Sequence, residues 1–196
     1  MAEEKDLAAL VRDSRSYRRF DGTRPVGQDV LRGLVDVARF APTGNNTQTL
    51  RFALVADPAK ALEVESHHHW AALLADWDGP AEGEKPTAYI AVCAPTGASK
   101  LPIRILDAGI AAQTIMLDAR SRGLVGCMIK SYDAGLDEVL GVAQKGYECL
   151  VLLALGWPAA DERVVLEEGA PGKVAYWREG TCHHVPKLGV DDLLVG

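Results

Sequence analysis

Apolar residues follow two patterns along the chain, and each pattern predicts a different kind of element. Where they return every three or four positions, they form the apolar stripe of a helix. This spacing predicts helices at five places: residues 7–11, 28–41, 59–78, 103–122 and 136–142. The second helix ends at Pro42, because proline cannot continue the hydrogen-bond ladder. The helix over 103–122 is apolar almost all round, which is typical of a helix buried in a core or an interface.

Short, nearly continuous apolar runs predict β-strands. The runs cover residues 50–56, 87–94, 125–129 and 147–155, and a weaker one covers 173–177. Helices and strands follow each other without strict alternation, and the sequence holds no internal repeat and no second unit of core size. After Pro158 few apolar residues recur in any period. We therefore predict a core over residues 1–158 and a C-terminal arm over 159–196 that packs on the core or on a partner subunit.

The net charge indicates which kinds of macromolecule the protein is expected to bind. The 196 residues include 21 Lys and Arg against 27 Asp and Glu, a net charge of −6. This balance argues against broad binding to nucleic acid or to an anionic membrane, because both require a basic surface, but it allows one small basic site. The N-terminus lacks the basic start and apolar block of a signal peptide, and no apolar run is long enough to span a bilayer. A cytoplasmic protein is the resulting expectation.

The four cysteines are far apart, and no C-x-x-C pair is present. This spacing argues against a thiol redox motif and against a zinc site built from cysteine. Cys93, Cys127 and Cys149 stand in apolar surroundings. They are predicted to be small buried side chains.

Four arginines stand within eight residues near the start of the chain: Arg12, Arg15, Arg18 and Arg19. Guanidinium groups present planar forks that match phosphate oxygens, and the neighbouring Ser16 can add a hydrogen bond. The segment therefore suits an anion such as a phosphate. The alternative is a solvated basic turn that balances nearby acids.

A polar loop over residues 42–48 lies between a predicted helix end and a predicted strand. Its amides and hydroxyls offer donors and acceptors, and Gly44 allows a ligand to approach the backbone. Such a loop suits a heterocycle, although a simple polar turn has the same composition.

A glycine-containing turn over residues 123–131 follows the long helix. Its main-chain N–H groups could face a flat ligand. The segment does not match G-x-G-x-x-G, and no P-loop is present, so neither nucleotide motif is inferred.

Histidines occur in two short groups. His67, His68 and His69 suggest a metal site, but adjacent histidines rarely bind one ion in good geometry, and a surface loop is the favoured interpretation. His183 and His184, with Lys187, form a small basic group in the arm, for which simple exposure to solvent is the alternative.

Taken in order, these segments resemble the nitroreductase family of FMN-dependent oxidoreductases. The likeness rests on four motifs: Arg15–Phe20 (family pattern R-S-x-R-x-F), Ala41–Gln48 (A-P-S-x-x-N-x-Q), Asp107–Gln113 leading to Arg122–Leu124, and Leu155–Pro158. Together they extend from Ser14 to Pro158. The segment from Tyr176 to Lys187 is also similar to the closing segment of a bacterial subset of the family.

The resemblance implies an α+β fold, with a central, mostly antiparallel sheet between helices, and a homodimer with two FMN molecules at its interface. The residues it implies for the FMN phosphate and ribityl chain are Arg15, Ser16 and Arg18, with Lys187 as a second phosphate contact. The residues it implies from the other subunit are Pro42, Thr43, Gly44 and Asn46. Lys130 and Ser131 would line the flavin ring edge near N5, mainly through backbone groups.

The implied function is transfer of reducing equivalents from NADH or NADPH, through FMN, to a nitroaromatic, a quinone or a similar flat acceptor in a ping-pong cycle. The cofactor performs the chemistry, and no side chain is assigned as an acid, base or nucleophile. Two departures from the family pattern, Gln48-Thr49-Leu50 in place of Q-P-W and Lys130 in place of glycine or glutamate, motivate a second hypothesis, a non-catalytic flavin-binding or sensing protein. A third hypothesis is a metal-binding protein that uses His67–His69.

Overall fold

The computed structural model describes residues 6–74 and 76–195. The helices within them are α1 (Leu7–Asp13), α2 (Gln28–Ala38), α3 (Pro58–Glu65), α4 (Pro102–Ser121) and α5 (Leu136–Val139). The strands are β1 (Arg51–Val55), β2 (Ala88–Pro95), β3 (Val125–Ile129), β4 (Tyr147–Gly156), β5 (Arg163–Glu168), β6 (Trp177–Glu179) and β7 (Cys182–Lys187). The ends of the predicted core and arm, residues 1–5 and 196, and residue 75 within the predicted helical stretch lie outside the described residues.

Four strands form the central sheet in the order β1-β2-β4-β3, and every neighbouring pair is antiparallel. The central strands β2 and β4 are apolar on both faces because helices cover both faces. Alternate residues of β2 point to opposite sides: Ile90 packs towards α2 and α4, and Tyr89 towards α3 and α5. The predicted α+β fold, with a mostly antiparallel sheet between helices, is confirmed.

Helix α4 is buried along only part of its length. Its middle and end bury Ala108, Ala112 and Ile115 in the core, as its apolar sequence predicts. Its first turns instead leave Ile103, Ile105 and Leu106 exposed. None of the described helices is both long and apolar enough to cross a membrane.

The predicted helical stretch over 59–78 is mostly wrong. Helix α3, capped by Asp57, ends at Glu65, and turns follow it. Glu65 then accepts a hydrogen bond from the Trp70 indole and lies 3.2 Å from His68 Nε2. These contacts draw the chain back over the end of the helix, so the helical spacing of the later tryptophan and leucines does not correspond to a helix.

The arm residues form a second, three-stranded sheet in the order β5-β7-β6, with β5 parallel to β7. The sequence predicts neither β5 nor β7, because their partly buried apolar residues are few and alternate with charged and imidazole groups, among them the buried His183. The predicted strand at 173–177 corresponds only to the short β6. Ion pairs connect this sheet to the core: Glu162, whose side chain is fully buried, pairs with both Arg19 and Arg178.

Three cysteines are buried, as predicted: Cys93, Cys127 and Cys149. Burial raises the pKa of the Cys127 thiol. The thiol is therefore protonated and packs as a small apolar group.

Candidate functional site

The arginine cluster is placed at the start of the edge strand β3. Ser16 pairs with Gly126 in an isolated parallel bridge, and the Tyr17 N–H donates to the Gly126 carbonyl at 2.9 Å. Gly126 is required at this point, because a Cβ there would lie 2.3 Å from the Ala154 carbonyl oxygen. The glycine of the predicted turn therefore allows β3 to lie close to Ala154 of β4, and the arginine segment pairs with β3 at this same residue.

Arg12, Arg15 and Lys187 line one open cavity of about 710 Å³. Lys187 ends strand β7 and comes from the far end of the chain, so the structure brings together the predicted phosphate contacts at 15 and 187. The other residues that line the cavity are Asp6, Leu7, Ala8, Val11 and Leu166. Three cations thus face one space on a protein of net negative charge.

Arg15 has an unused hydrogen-bond donor in this region. Its Nη2 donates to the Val11 carbonyl at 2.7 Å, whereas its Nε is buried and has no partner among residues 6–74 and 76–195. Burial lowers the pKa of Arg15, partly offset by Asp13, and an arginine nevertheless stays charged. A buried donor without an acceptor is costly. An anionic oxygen bound in the cavity would supply the missing acceptor, so these residues fit a phosphate group.

The other two arginines of the cluster do not line this cavity, although Arg18 Nη1 donates to the carbonyl of the adjoining Ser16 at 3.3 Å. Arg19 contacts three carboxylates, Glu84 at 2.5 Å, Asp161 at 3.2 Å and Glu162 at 3.3 Å, and the hydrogen bond to Glu84 raises its pKa. Its role is to connect the core and the arm. Arg18 is nearly buried against the arm, where its Nη1 lies 2.9 Å from His183 Nε2.

Helix α4 orders the polar loop over residues 42–48. The Gly44 N–H donates to the buried Asp107 Oδ1 at 2.8 Å, and Arg104 Nη1 donates to Asp107 Oδ2 at 2.8 Å. The same Arg104 nitrogen donates to the Thr47 hydroxyl. Asn45, Asn46 and Gln48 adopt positive φ angles and are exposed. The predicted binding residues Pro42 and Asn46 are thus presented at the surface, with Thr43 and Gly44 partly covered.

Lys130 and Ser131 directly follow β3, and both are exposed. The Lys130 ammonium donates to the Tyr132 hydroxyl at 3.0 Å, which in turn donates to the Cys149 carbonyl at 2.6 Å. The Ser131 carbonyl accepts the His69 N–H at 2.9 Å. These contacts fix both residues next to the histidine segment, a neighbour that sequence reasoning missed because the two segments are far apart in the chain.

The surface-loop interpretation of the three histidines is wrong for His68. Its ring is buried, 3.2 Å from the Tyr89 hydroxyl and 3.2 Å from a Glu65 oxygen. Tyr89 also donates to Glu65, so this carboxylate is satisfied by protein groups and its pKa is lowered. Across the described residues, no three His, Cys, Asp or Glu side chains are placed to hold a metal ion.

The two predicted halves of the site do not meet within one chain. Asp107 near the start of α4 holds the polar loop, whereas Arg120 near its end lies 3.9 Å from Asp13 and faces the Tyr17 ring, beside the arginine cluster. An α-helix rises about 1.5 Å per residue, so these two points are about 20 Å apart. The loop also precedes β1, at the opposite sheet edge from β3.

A sequence model of the nitroreductase family matches residues 11–157. The chain belongs to the nitroreductase family. The matched range contains the arginine cluster, the polar loop, Lys130 and Ser131, and the arm with Lys187 follows it. No curated protein matches this nitroreductase in sequence.

Solved structures share the nitroreductase fold. A Staphylococcus epidermidis protein, provisionally classed as an NAD(P)H:FMN oxidoreductase, is 14% identical with a TM-score of 0.71, covering 100% of this chain and 98% of its own. An FMN-dependent nitroreductase from Clostridium difficile is 23% identical (TM-score 0.60, 78% and 87% covered). A provisionally classed nitroreductase from Exiguobacterium sibiricum, in complex with FMN, is 19% identical (TM-score 0.62, 79% and 89% covered). The likeness to the first of these includes the arm.

Proposed function

We propose that this nitroreductase uses FMN to pass reducing equivalents from NADH or NADPH to a nitroaromatic, a quinone or a similar flat acceptor. The observation that carries the proposal is the cavity that joins Arg12 and Arg15 to Lys187, together with the Arg15 Nε, which has no acceptor among the described residues. FMN is named for the relatives from C. difficile and E. sibiricum. When bound, FMN supplies the redox chemistry, taking up a hydride from the nicotinamide and releasing electrons to the acceptor in a ping-pong cycle.

The chain's own residues bind and orient the cofactor in this proposal. Arg15, Ser16 and Lys187 hold the phosphate end of FMN. Arg18 is the fourth residue that we propose for binding the phosphate and the ribityl chain. Strand β3 leads from Gly126, beside Ser16, to Lys130, a distance of about 13 Å at 3.3 Å per residue. A ligand with a phosphate at one end and a flat ring at the other fits an elongated site that follows an edge strand. Lys130 and Ser131 would line the ring edge.

The second half of the site comes from a partner subunit in this proposal. Pro42, Thr43, Gly44 and Asn46 lie about 20 Å along α4 from the arginine cluster, too far away to complete a compact site in their own chain. Large apolar side chains are exposed just before this loop and on the helix that holds it, among them Phe40 (71% exposed) and Leu106 (58% exposed). Exposed apolar surface of this kind is typical of a protein interface. A homodimer would cover these side chains and bring the loop of one subunit to the arginines of the other.

The test is the flavin spectrum of the purified protein. We expect a yellow protein, or a colourless one that takes up added FMN, whose visible flavin band is bleached anaerobically by NADH or NADPH. Lys187→Ala should weaken FMN binding by about 10-fold, because a charged contact to phosphate is lost. The matched control is Lys173→Ala, an exposed lysine of the arm outside the cavity, which should bind FMN as the unmodified protein does.

Two results would count against the proposal. A protein that takes up no FMN rules out the flavin site altogether. A protein that binds FMN, but whose flavin neither nicotinamide reduces, rules out the proposed oxidoreductase cycle and favours the non-catalytic flavin-binding alternative.

A further inference from the structure

Arg18 and His183 form a buried contact between the core and the arm. His183 on strand β7 is 1% exposed and Arg18 is 9% exposed. Their Nε2 and Nη1 atoms are 2.9 Å apart. A guanidinium group carries only donors, so the imidazole nitrogen must be the acceptor in this contact. The His183 ring is therefore neutral, with its proton on Nδ1.

The imidazole is the main polar partner of the Arg18 guanidinium. Among the described residues no carboxylate pairs with Arg18, in contrast to Arg19 with its three acids. The remaining contacts are the Ser16 carbonyl, 3.3 Å from Nη1, and the Tyr176 ring, 5.0 Å away. Tyr176 also lies 5.0 Å from the His183 ring, so two arm residues enclose the guanidinium.

The surroundings of His183 keep its ring neutral. Burial, together with the positive charges of Arg18 and Arg178 and the neighbouring His184, lowers its pKa from 6.5 to about 4. The ring therefore accepts a hydrogen bond from Arg18 throughout the neutral range. The His183 Nδ1–H and the Arg18 Nε–H are both buried, and neither has an acceptor in the part of the chain that the structure describes.

We propose that His183 is a positioning residue that fixes the Arg18 guanidinium in the cofactor site. The inference rests on the proposed function, since it assigns Arg18 to FMN. Loss of the imidazole acceptor would leave Arg18 buried beside Tyr176 with only a long bond to the Ser16 carbonyl. The guanidinium would then occupy several orientations, and binding of the cofactor would have to order it again. Strand β7 would thus contribute twice to the site, through His183 and through Lys187.

The experiment measures FMN affinity of the full-length apoprotein by quenching of flavin fluorescence, with the melting temperature recorded for each variant. His183→Leu should weaken FMN binding by about 10-fold, the effect of losing a hydrogen bond to a charged group. His183→Gln, whose side-chain oxygen can accept from Arg18, should restore most of the affinity. A purely structural histidine would lower the melting temperature of both variants without this rescue.

The neighbouring histidine provides the matched control. His184 follows His183 on β7 and points to the opposite face of the strand, where its ring stacks on Trp177 at 4.8 Å and pairs with Glu167 at 2.7 Å. His184→Leu should leave FMN affinity unchanged. An unchanged affinity in His183→Leu, or a loss that His183→Gln does not recover, overturns the proposal.

A second measurement does not depend on flavin. Nitrogen-15 NMR of the imidazoles in the unmodified protein should show a neutral His183 ring with the proton on Nδ1, and Arg18→Gln should raise the His183 pKa. A charged ring at neutral pH, or no change in Arg18→Gln, disproves the contact itself. If the unmodified protein binds no FMN while the NMR result holds, the proposed function fails and the contact is structural.

Discussion

Asp107 is the side chain whose loss should most affect the ordering of the polar loop. It is 2% exposed and makes two bonds, from the Gly44 N–H and from Arg104, both at 2.8 Å. Asp107→Ala leaves the Gly44 N–H without an acceptor and the partly buried Arg104 guanidinium without its carboxylate. Breaking a buried ion pair costs about 3–5 kcal/mol, and Arg104 is half-buried and keeps its bond to Thr47, so we expect about 3 kcal/mol.

Asp107→Asn separates the contribution of the hydrogen bond from Gly44 from that of the ion pair with Arg104. The amide oxygen can still accept the Gly44 N–H, whereas the charge that pairs with Arg104 is lost. The expected loss is about 1–2 kcal/mol, near the value of one hydrogen bond to a charged group. The alanine variant should therefore be clearly less stable than the asparagine variant.

Urea denaturation followed by circular dichroism measures both losses as free energies of unfolding. The control is Asp36→Ala on α2, whose exposed carboxylate pairs with the exposed Arg39. A surface pair of this kind contributes less than about 1 kcal/mol. If Asp107→Ala destabilises no more than Asp36→Ala, α4 does not order the loop through this carboxylate.

Three further predictions concern assembly, packing and pH. Leu106→Asp places a charge on the exposed apolar surface of α4 and should convert a dimer to monomers by light scattering; an unmodified protein that is already monomeric would contradict the proposed assembly. Gly126→Ala, whose new methyl would meet the Ala154 carbonyl, should cost about 1–3 kcal/mol in urea denaturation, whereas Gly109→Ala, with open space around it in α4, should gain up to about 1 kcal/mol. The free energy of unfolding should fall as pH drops from 6.5 towards 4, by at most about 3 kcal/mol from His183, because the unfolded imidazole takes up a proton that the folded one does not. The fall should be smaller in His183→Gln, and an equal fall in that variant would show that other groups cause it.

Much of the core could be predicted from local patterns. The apolar runs at 50–56, 87–94 and 147–155 correspond to β1, β2 and β4 within one or two residues, because strands covered on both faces are apolar throughout. The helix predicted over 103–122 is α4, displaced by one residue. The helix predicted over 59–78 is wrong after Glu65, where the buried Glu65 carboxylate and the groups that donate to it determine the path of the chain.

The candidate site, like the core, could be predicted only in part from the sequence. Motif order along the chain predicted the family and grouped Arg15 with Lys187, and the cavity joins them. Motif order did not distinguish Arg18 from Arg19, which are adjacent in sequence. Arg18 contacts an imidazole, whereas Arg19 contacts three carboxylates. All these partners are more than sixty residues away in the sequence.

The sequence by itself determined most of the secondary structure of the core, the burial of three cysteines and the presence of a local basic segment on an acidic chain. These features depend on the residue types within one helix or strand, since burial of an apolar face follows from its spacing. Only the tertiary structure decided that His68 and His183 are buried, that the arm supplies Lys187 to the arginines, and that the polar loop lies about 20 Å away along α4. Polar contacts of this kind join residues far apart in the chain, so their partners are set by the packing of whole elements and not by any local pattern.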